Sequence, residues 1–240
     1  MNTTLVIPCF NEADRLPRDS IRELLAGSDL GLVLVDDGSS DGTGALLDEL
    51  AAGSADRIRV LRLDRNRGKA EAVRHGLLAA LDRSDAVGYA DADFATPADE
   101  LVRLARLLAG SDSAAVIGSR VAMLGATIQR SAVRHYLGRV FATGASLSLG
   151  RPVYDTQCGA KLFRVTPTLR SALERPFRSR WAFDVELLGR LWSADPAAQI
   201  VEVPLRRWVD VGRSKVKPSA MLRTGLELVL IARDLRRARR

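Results

Sequence analysis

Cysteine is nearly absent from this chain of 240 residues: Cys9 and Cys158 are the only two, far apart and without metal-site spacing. That argues against a disulfide framework or a cysteine zinc site and fits a reduced, cytosolic setting. Histidine is as rare, and neither His75 nor His135 has an evident partner that would make it a catalyst. No apolar run reaches the ~18 residues needed to span a bilayer. Met1 leads into Leu5-Val6-Ile7 without the charged-then-apolar order of a secretory signal. Acidic residues are scarce at one end: from Arg206 to Arg240 eleven Lys/Arg stand against three Asp/Glu, so the whole formal charge of +7 lies in the last seventh of the chain. This pattern predicts a basic arm facing an anionic surface and argues against a basic body wrapped by nucleic acid.

The rest is the composition of a globular protein, 47% hydrophobic and 27% charged, long enough for a well-buried core. Short β-branched runs (Thr4 to Pro8, Gly31 to Asp36, Arg57 to Leu63, Asp85 to Ala90, Ala114 to Gly118) alternate with segments of helical period (14–26, 42–52, 69–81, 97–108). That alternation predicts an α/β fold, a mainly parallel sheet with helices on both faces. Ligands of such sheets bind beyond the carboxyl ends of the strands. Further on, 129–149 and 181–192 have helical period, 155–165 reads as a strand pair crossing the site, and 199–205 as another strand. With no internal repeat or low-complexity linker, one domain over 1–218 is expected, followed by a basic amphipathic helix over 219–240.

Each strand end carries polar residues. The first closes with Pro8-Cys9-Phe10-Asn11-Glu12, and the second with Asp36-Asp37-Gly38-Ser39-Ser40-Asp41-Gly42-Thr43. Turn formation and helix capping account for most of these residues. They do not account for two adjacent carboxylates at a buried strand end, where uncompensated charge is costly. The third strand leads to Asn66-Arg67-Gly68-Lys69 at a helix start, a place where amides and the dipole favour an anion, though the Walker pattern is missing. The fourth ends in Asp91-Ala92-Asp93, two carboxylates able to hold one hard cation, Mg²⁺ or Mn²⁺, or simply a solvated turn.

In order and spacing these motifs resemble the inverting GT-A glycosyltransferases of family 2. Gly118-Ser119-Arg120, Gln129-Arg130-Ser131, Asp155-Thr156-Gln157-Cys158-Gly159-Ala160-Lys161-Leu162-Phe163, Trp181-Ala182-Phe183-Asp184-Val185-Glu186, Glu202-Val203-Pro204 and Ser214-Lys215 narrow the resemblance to the dolichyl-phosphate β-glucosyltransferase branch. It covers about residues 3–217, and Asp155 to Gly159 is its most specific part. The resemblance implies a nucleotide pocket from Pro8, Phe10, Glu12, Asp37 and Lys69, with Asp36 behind it. It implies a metal held by Asp91 and Asp93 with Ala92 between them, Arg120 reaching an anionic group near the acceptor, and Lys215 closing over the diphosphate. Phe10 stands where Tyr is usual, Ala160 where Phe is usual, and Arg213 is an extra residue that disturbs the register of Lys215.

The implied reaction moves glucose from UDP-glucose to a polyprenyl phosphate, by in-line displacement with charge compensation of the leaving diphosphate. A phosphate acceptor is already ionised and needs no base; Arg120, Arg130 and Arg134 suit its geometry. A hydroxyl acceptor would require one, with Asp184 the candidate. Transfer to a soluble hydroxyl compound, or nucleotide-sugar binding without catalysis, are the alternatives. The apolar and arginine-rich stretch from Ser219 to Arg240 is expected to lie on an anionic membrane, on the cytoplasmic face, or else to pack as a last helix.

Overall fold

A computed structural model describes residues 1–129, 132–210, 227–235 and 237, with the side chains of 132–135 and 137 left out. Strand β1 (Thr3–Cys9) sets the architecture because its side chains are apolar in both directions. Leu5, Ile7 and Cys9 enter one core while Val6 enters the other. A strand buried on both faces belongs at the centre of a parallel sheet. Its neighbours β2 (Gly31–Asp36) and β4 (Ala86–Ala90) both run parallel to it, and β3 (Ile58–Arg62) pairs parallel with β2.

The seven-stranded sheet has the order β3-β2-β1-β4-β7-β5-β8, with β5 (Ala115–Ser119), β7 (Ala160–Arg164) and β8 (Ile200–Pro204). Helices α1 (Arg18–Ala26), α2 (Thr43–Ala52) and α4 (Ala98–Ala109) cover one face, through Ile21, Leu24, Leu47 and Leu104. Helices α3 (Lys69–Ala80), α5 (Ala132–Leu149), α6 (Pro167–Glu174) and α7 (Phe183–Ala194) cover the other. Helix α3 lies very close to the sheet: a Cβ at Gly76 would stand 2.3 Å from Val6 Cγ1.

The expected strand pair over 155–165 is one strand. Only β7 forms, antiparallel to both β4 and β5, because residues 155–159 are drawn into a loop by side-chain contacts described below. Helix α6 was not expected; Thr166 caps it by accepting the Leu169 N–H, with Pro167 at its first position. The helix expected from 129 starts at Ala132, since Thr127–Gln129 pairs instead as β6 with β9 (Arg207–Val209). Helix α1 starts at Arg18 rather than residue 14, after a turn in which the Arg15 and Leu16 amides both bond to the Glu12 carbonyl.

A last helix, α8, occupies 227–235. Its stripe Leu228, Ile231 and Leu235 is buried in the core with α5 and α7. Gly189 of α7 admits it, since a Cβ there would stand 2.3 Å from Leu235 Cδ1. Of the apolar residues expected to meet a membrane, Leu228 and Ile231 are thus spent on the protein, Val229 and Leu230 are exposed, and Met221, Leu222 and Leu226 lie outside the described residues. No helix among the described residues is long and apolar enough to cross a membrane. Leu235→Ala should cost about 2–5 kcal/mol in urea unfolding, as for a core leucine; a helix merely resting on the surface would lose a few tenths.

Candidate active site

The carboxyl ends of β1, β2 and β4 converge on one edge of the sheet. The loops after β1 and β2 are stitched together: the Asn11 amide donates to Ser39 Oγ, the Ser40 amide to Asn11 Oδ1, and the Glu12 amide to Thr43 Oγ1. Asn11 adopts a positive φ of 52°, which turns the chain out of the strand after the half-exposed Phe10. Pro8 lies within β1 opposite Val35. Asp36 Oδ1 accepts the Ser39 N–H at 2.9 Å and so shapes its own turn.

Asp37 is buried, and its two oxygens accept the amides of Arg67 (2.7 Å) and Gly68 (2.8 Å). It therefore pins the loop that opens α3. Burial raises its carboxyl above the ordinary range, against those amides and the charge of Arg180. Arg180, which sequence reasoning missed, lies against Gly68: a Cβ built there would stand 2.9 Å from its Nε, and Gly68 has φ +89°. A glycine is required on both counts. Lys69, first in α3, brings its Nζ to 2.5 Å from Asp91 Oδ1 as an ion pair without hydrogen-bond alignment.

Asp91 and Asp93 sit in a tight turn closed by the Phe94 amide on the Asp91 carbonyl, with Phe94 at φ 49° and its ring buried. Such a conformation is costly for a non-glycine residue and is held here by packing. Ala92 is buried between the two carboxylates. Burial pushes the Asp91 carboxyl up, but Lys69 beside it more than offsets this and holds it low. Asp93 is raised, by burial first and then by the charge of Asp91. A Cβ at Gly159 would stand 2.1 Å from Asp91 Oδ2, so the absent side chain there is what gives that carboxylate its room. Among the described residues no group of three or more His, Cys, Asp or Glu gathers for a metal. Two hard carboxylates fit a Mg²⁺ or Mn²⁺ ion whose other positions are filled by diphosphate oxygens.

The segment 155–161 closes the other side. Glu202 of β8 accepts the amides of Tyr154 (2.8 Å) and Asp155 (2.6 Å). Arg120, at the end of β5, forks onto Asp155 through Nε (2.6 Å) and Nη2 (2.8 Å), and its guanidinium lies 5.3 Å from the Trp208 ring centroid. Asp155 is pushed up by burial and pulled down further by Arg120, to about 2. Arg120 thus arrives already paired, where the resemblance implies an arm open to an anionic group. The Cys158 thiol is pushed up to about 12 by burial, which keeps it from acting as a nucleophile.

Beneath the site lies a charge pair that sequence reasoning did not single out. Lys161 is 0% exposed, and its Nζ reaches Asp184 Oδ1 at 2.7 Å and the Cys158 carbonyl at 2.5 Å. Asp184, 5% exposed at the start of α7, also accepts the Tyr89 hydroxyl on Oδ1 and Gln157 Nε2 at 3.3 Å on Oδ2. A lysine in the run Ala160-Lys161-Leu162-Phe163 was the available signal, because an apolar strand rarely carries a buried lysine without a partner. Arg130 and Lys215 lie outside the described residues, as does the side chain of Arg134.

Comparison with known proteins fits this geometry. The fold is GT-A: a glucosyl-3-phosphoglycerate synthase from Mycobacterium tuberculosis superposes with TM-score 0.70 over 96% of this chain and 79% of that one, at 20% identity. The model of the Glycosyl transferase family 2 matches residues 4–169, and the chain belongs to that family. Among curated relatives, the Drosophila melanogaster dolichyl-phosphate beta-glucosyltransferase is 34% identical over 96% of this chain and 74% of that protein. A protein of the same description from Trichomonas vaginalis is 32% identical, over 96% and 70%.

Three outcomes test these assignments. Lys161→Met strands the Asp184 charge and should cost about 3–5 kcal/mol in urea unfolding, with much of the loss recovered in Lys161→Met/Asp184→Leu. Gly159→Ala should reduce turnover at least ~10-fold by displacing the Asp91 carboxylate while costing about 1–3 kcal/mol in stability. Because the folded pKa of Asp155 is depressed, its contribution to stability is present above the ordinary carboxylate range and fades as pH falls from about 4 towards about 2. Acid titration of the unfolding midpoint should show this loss, and Asp155→Asn should remove it.

Proposed function

We propose that this protein is an inverting, metal-dependent transferase that moves glucose from UDP-glucose to a polyprenyl phosphate. The observation that carries the reading is the condition of Asp184. It is the carboxylate that would serve as base for a hydroxyl acceptor, yet it is buried, and Lys161, Tyr89 and Gln157 engage both its oxygens. A site whose candidate base is committed suits an acceptor that arrives already ionised. The names of the dolichyl-phosphate beta-glucosyltransferase relatives support the same acceptor and sugar. The mycobacterial neighbour, solved with Mn²⁺ and UDP, supports the nucleotide and a divalent metal.

In this mechanism Phe10, Glu12 and the Asp36–Asp37 turn border the nucleoside, and Lys69 stands against the diphosphate from the start of α3. Asp91 and Asp93 would hold Mg²⁺ or Mn²⁺, which supplies positive charge to the departing diphosphate. An acceptor phosphate oxygen forms the new bond to the anomeric carbon as the bond to UDP breaks, with inversion to a β-linkage. Arg120, fixed by Asp155, lends orientation at that end; Arg130 and Arg134 follow in sequence as further phosphate ligands, and Lys215 as a cover for the diphosphate. The work takes place on the cytoplasmic face of a membrane.

Incubation with UDP-glucose, Mg²⁺ and a polyprenyl phosphate in detergent should yield a lipid-linked glucose. Chelation should abolish the product and Mg²⁺ or Mn²⁺ should restore it. Asp184→Asn leaves the Lys161 charge unanswered and should lower the unfolding midpoint, yet per folded molecule it should change the rate by less than ~10-fold, whereas a base would lose ~100-fold or more. Turnover on a hydroxyl compound with none on any lipid phosphate would overturn the reading.

A further inference from the structure

Eight of the thirteen exposed large apolar side chains among the described residues fall in two segments, 123–154 and 229–230. From Arg120 to Tyr154 the sequence has five arginines and no Asp or Glu. The same stretch holds Met123 and Leu124, both exposed on the turn between β5 and β6, and an apolar line on α5. Tyr136, Val140 and Leu147 are 71%, 73% and 73% exposed. Their spacing of four and seven residues puts them on one side of the helix. Gly144 falls in the same line, and Leu228 of α8 comes within 3.5 Å of where its Cβ would be. Helix α8 therefore abuts this side of α5 and carries its own exposed Val229 and Leu230, with Arg233 and Arg237 one turn and two turns on.

We propose that the outer side of α5, extended by Val229 and Leu230 of α8, is the surface by which the protein lies on an anionic lipid bilayer. Charge selects this occupant. A protein groove would be expected to set acidic groups among the basic ones, whereas the stretch from Arg120 to Tyr154 carries arginines and no acidic residue beside its exposed apolar side chains, a composition suited to acyl chains and anionic headgroups together. Arg139 is held at the border, with its guanidinium 3.8 Å from the Tyr154 ring centroid and Nη1 on the Tyr154 carbonyl. Tyr136 offers an aromatic body with a polar tip, suited to the headgroup level. The same chain segment runs from Arg120 to Asp155, so a membrane seated on α5 lies alongside the loop that closes the site. The inference deepens the proposed use of a lipid acceptor and rests on that reading for its purpose.

The test is sedimentation of the full chain with vesicles of phosphatidylcholine, with and without 30 mol% phosphatidylglycerol, a composition about matching an anionic leaflet. The protein should partition to the anionic vesicles, less so as salt is raised. Tyr136→Ser/Val140→Ser/Leu147→Ser should weaken partitioning at least ~10-fold while the unfolding midpoint shifts by no more than a few degrees, because these side chains are 71%, 73% and 73% exposed. Val229→Ser/Leu230→Ser should weaken it in the same direction. Unchanged partitioning of the triple variant overturns the proposal, as does loss of binding when Arg239 and Arg240 alone become Gln. A dimer in solution that the triple variant dissolves would also overturn it, by giving the surface to a second copy. Vesicle binding through α5 without any glucosyl lipid product would sink the proposed reaction and leave this surface standing; transfer in detergent with α5-independent binding would do the reverse.

Discussion

The segment from Gln157 to Lys161, which borders the site, hangs on the Lys161–Asp184 contact. Strand β7 is inserted antiparallel between β4 and β5, which places Lys161 opposite Tyr89 in register. Its ammonium is fully removed from water and must be answered there. Asp184 answers it from the first turn of α7, where the helix dipole also favours a carboxylate. The pair therefore ties a helix to the middle of the sheet. It also fixes the segment before β7, because Lys161 holds the Cys158 carbonyl and Asp184 holds Gln157. Gly159, between those two anchors, presents its carbonyl to the Asp91 amide and leaves the Asp91 carboxylate its space.

This arrangement divides the charges of the site into two kinds. Arg120–Asp155 and Lys161–Asp184 are buried and matched one to one, and serve to hold backbone. Lys69–Asp91 is half open, and Asp93 beside it is raised by its neighbour's charge. Excess of one sign, and hence affinity for a ligand of the other, exists only where charges are not closed off among themselves. The edge formed by Lys69, Asp91 and Asp93 has that character. On the other side, Arg120 and Lys161 are already balanced by Asp155 and Asp184.

The polar cluster at the ends of β1, β2 and β4 was legible in the sequence because its signals are local. Asp36, Asp37, Lys69, Asp91 and Asp93 each stand at a strand end or a helix start that hydrophobic period already marks. The α/β class followed from the same alternation. What sequence could not give was partnership across the chain. Arg120 finds Asp155 thirty-five residues away, Lys161 finds Asp184, and Arg180 finds the loop at Gly68. No period encodes those meetings. The strand pair expected at 155–165 failed for this reason: the residues that hold 155–159 as a loop come from β5, β8 and α7. Helix α6 was hidden by its length of eight residues, too short for a clear period.

The C-terminal stretch shows the limit of composition most clearly. Leucine, isoleucine and arginine in alternation suit either a membrane surface or a protein core edged by solvent, and helical period is the same for both. The decision lies in the partner face, and α7 supplies one: Gly189 opens a slot that Leu235 fills. With Leu228, Ile231 and Leu235 buried, the exposed Arg233 and Arg237 mark the rim of a packed helix. The apolar surface that is left over belongs mostly to α5, in a segment whose lack of acidic residues is visible in the sequence but has no meaning until the fold turns Tyr136, Val140 and Leu147 outward. In the proposed reaction, having that surface covalently continuous with the loop of Asp155 means that orientation on a membrane also orients the loop, and the entropy of bringing the two together is already spent in folding.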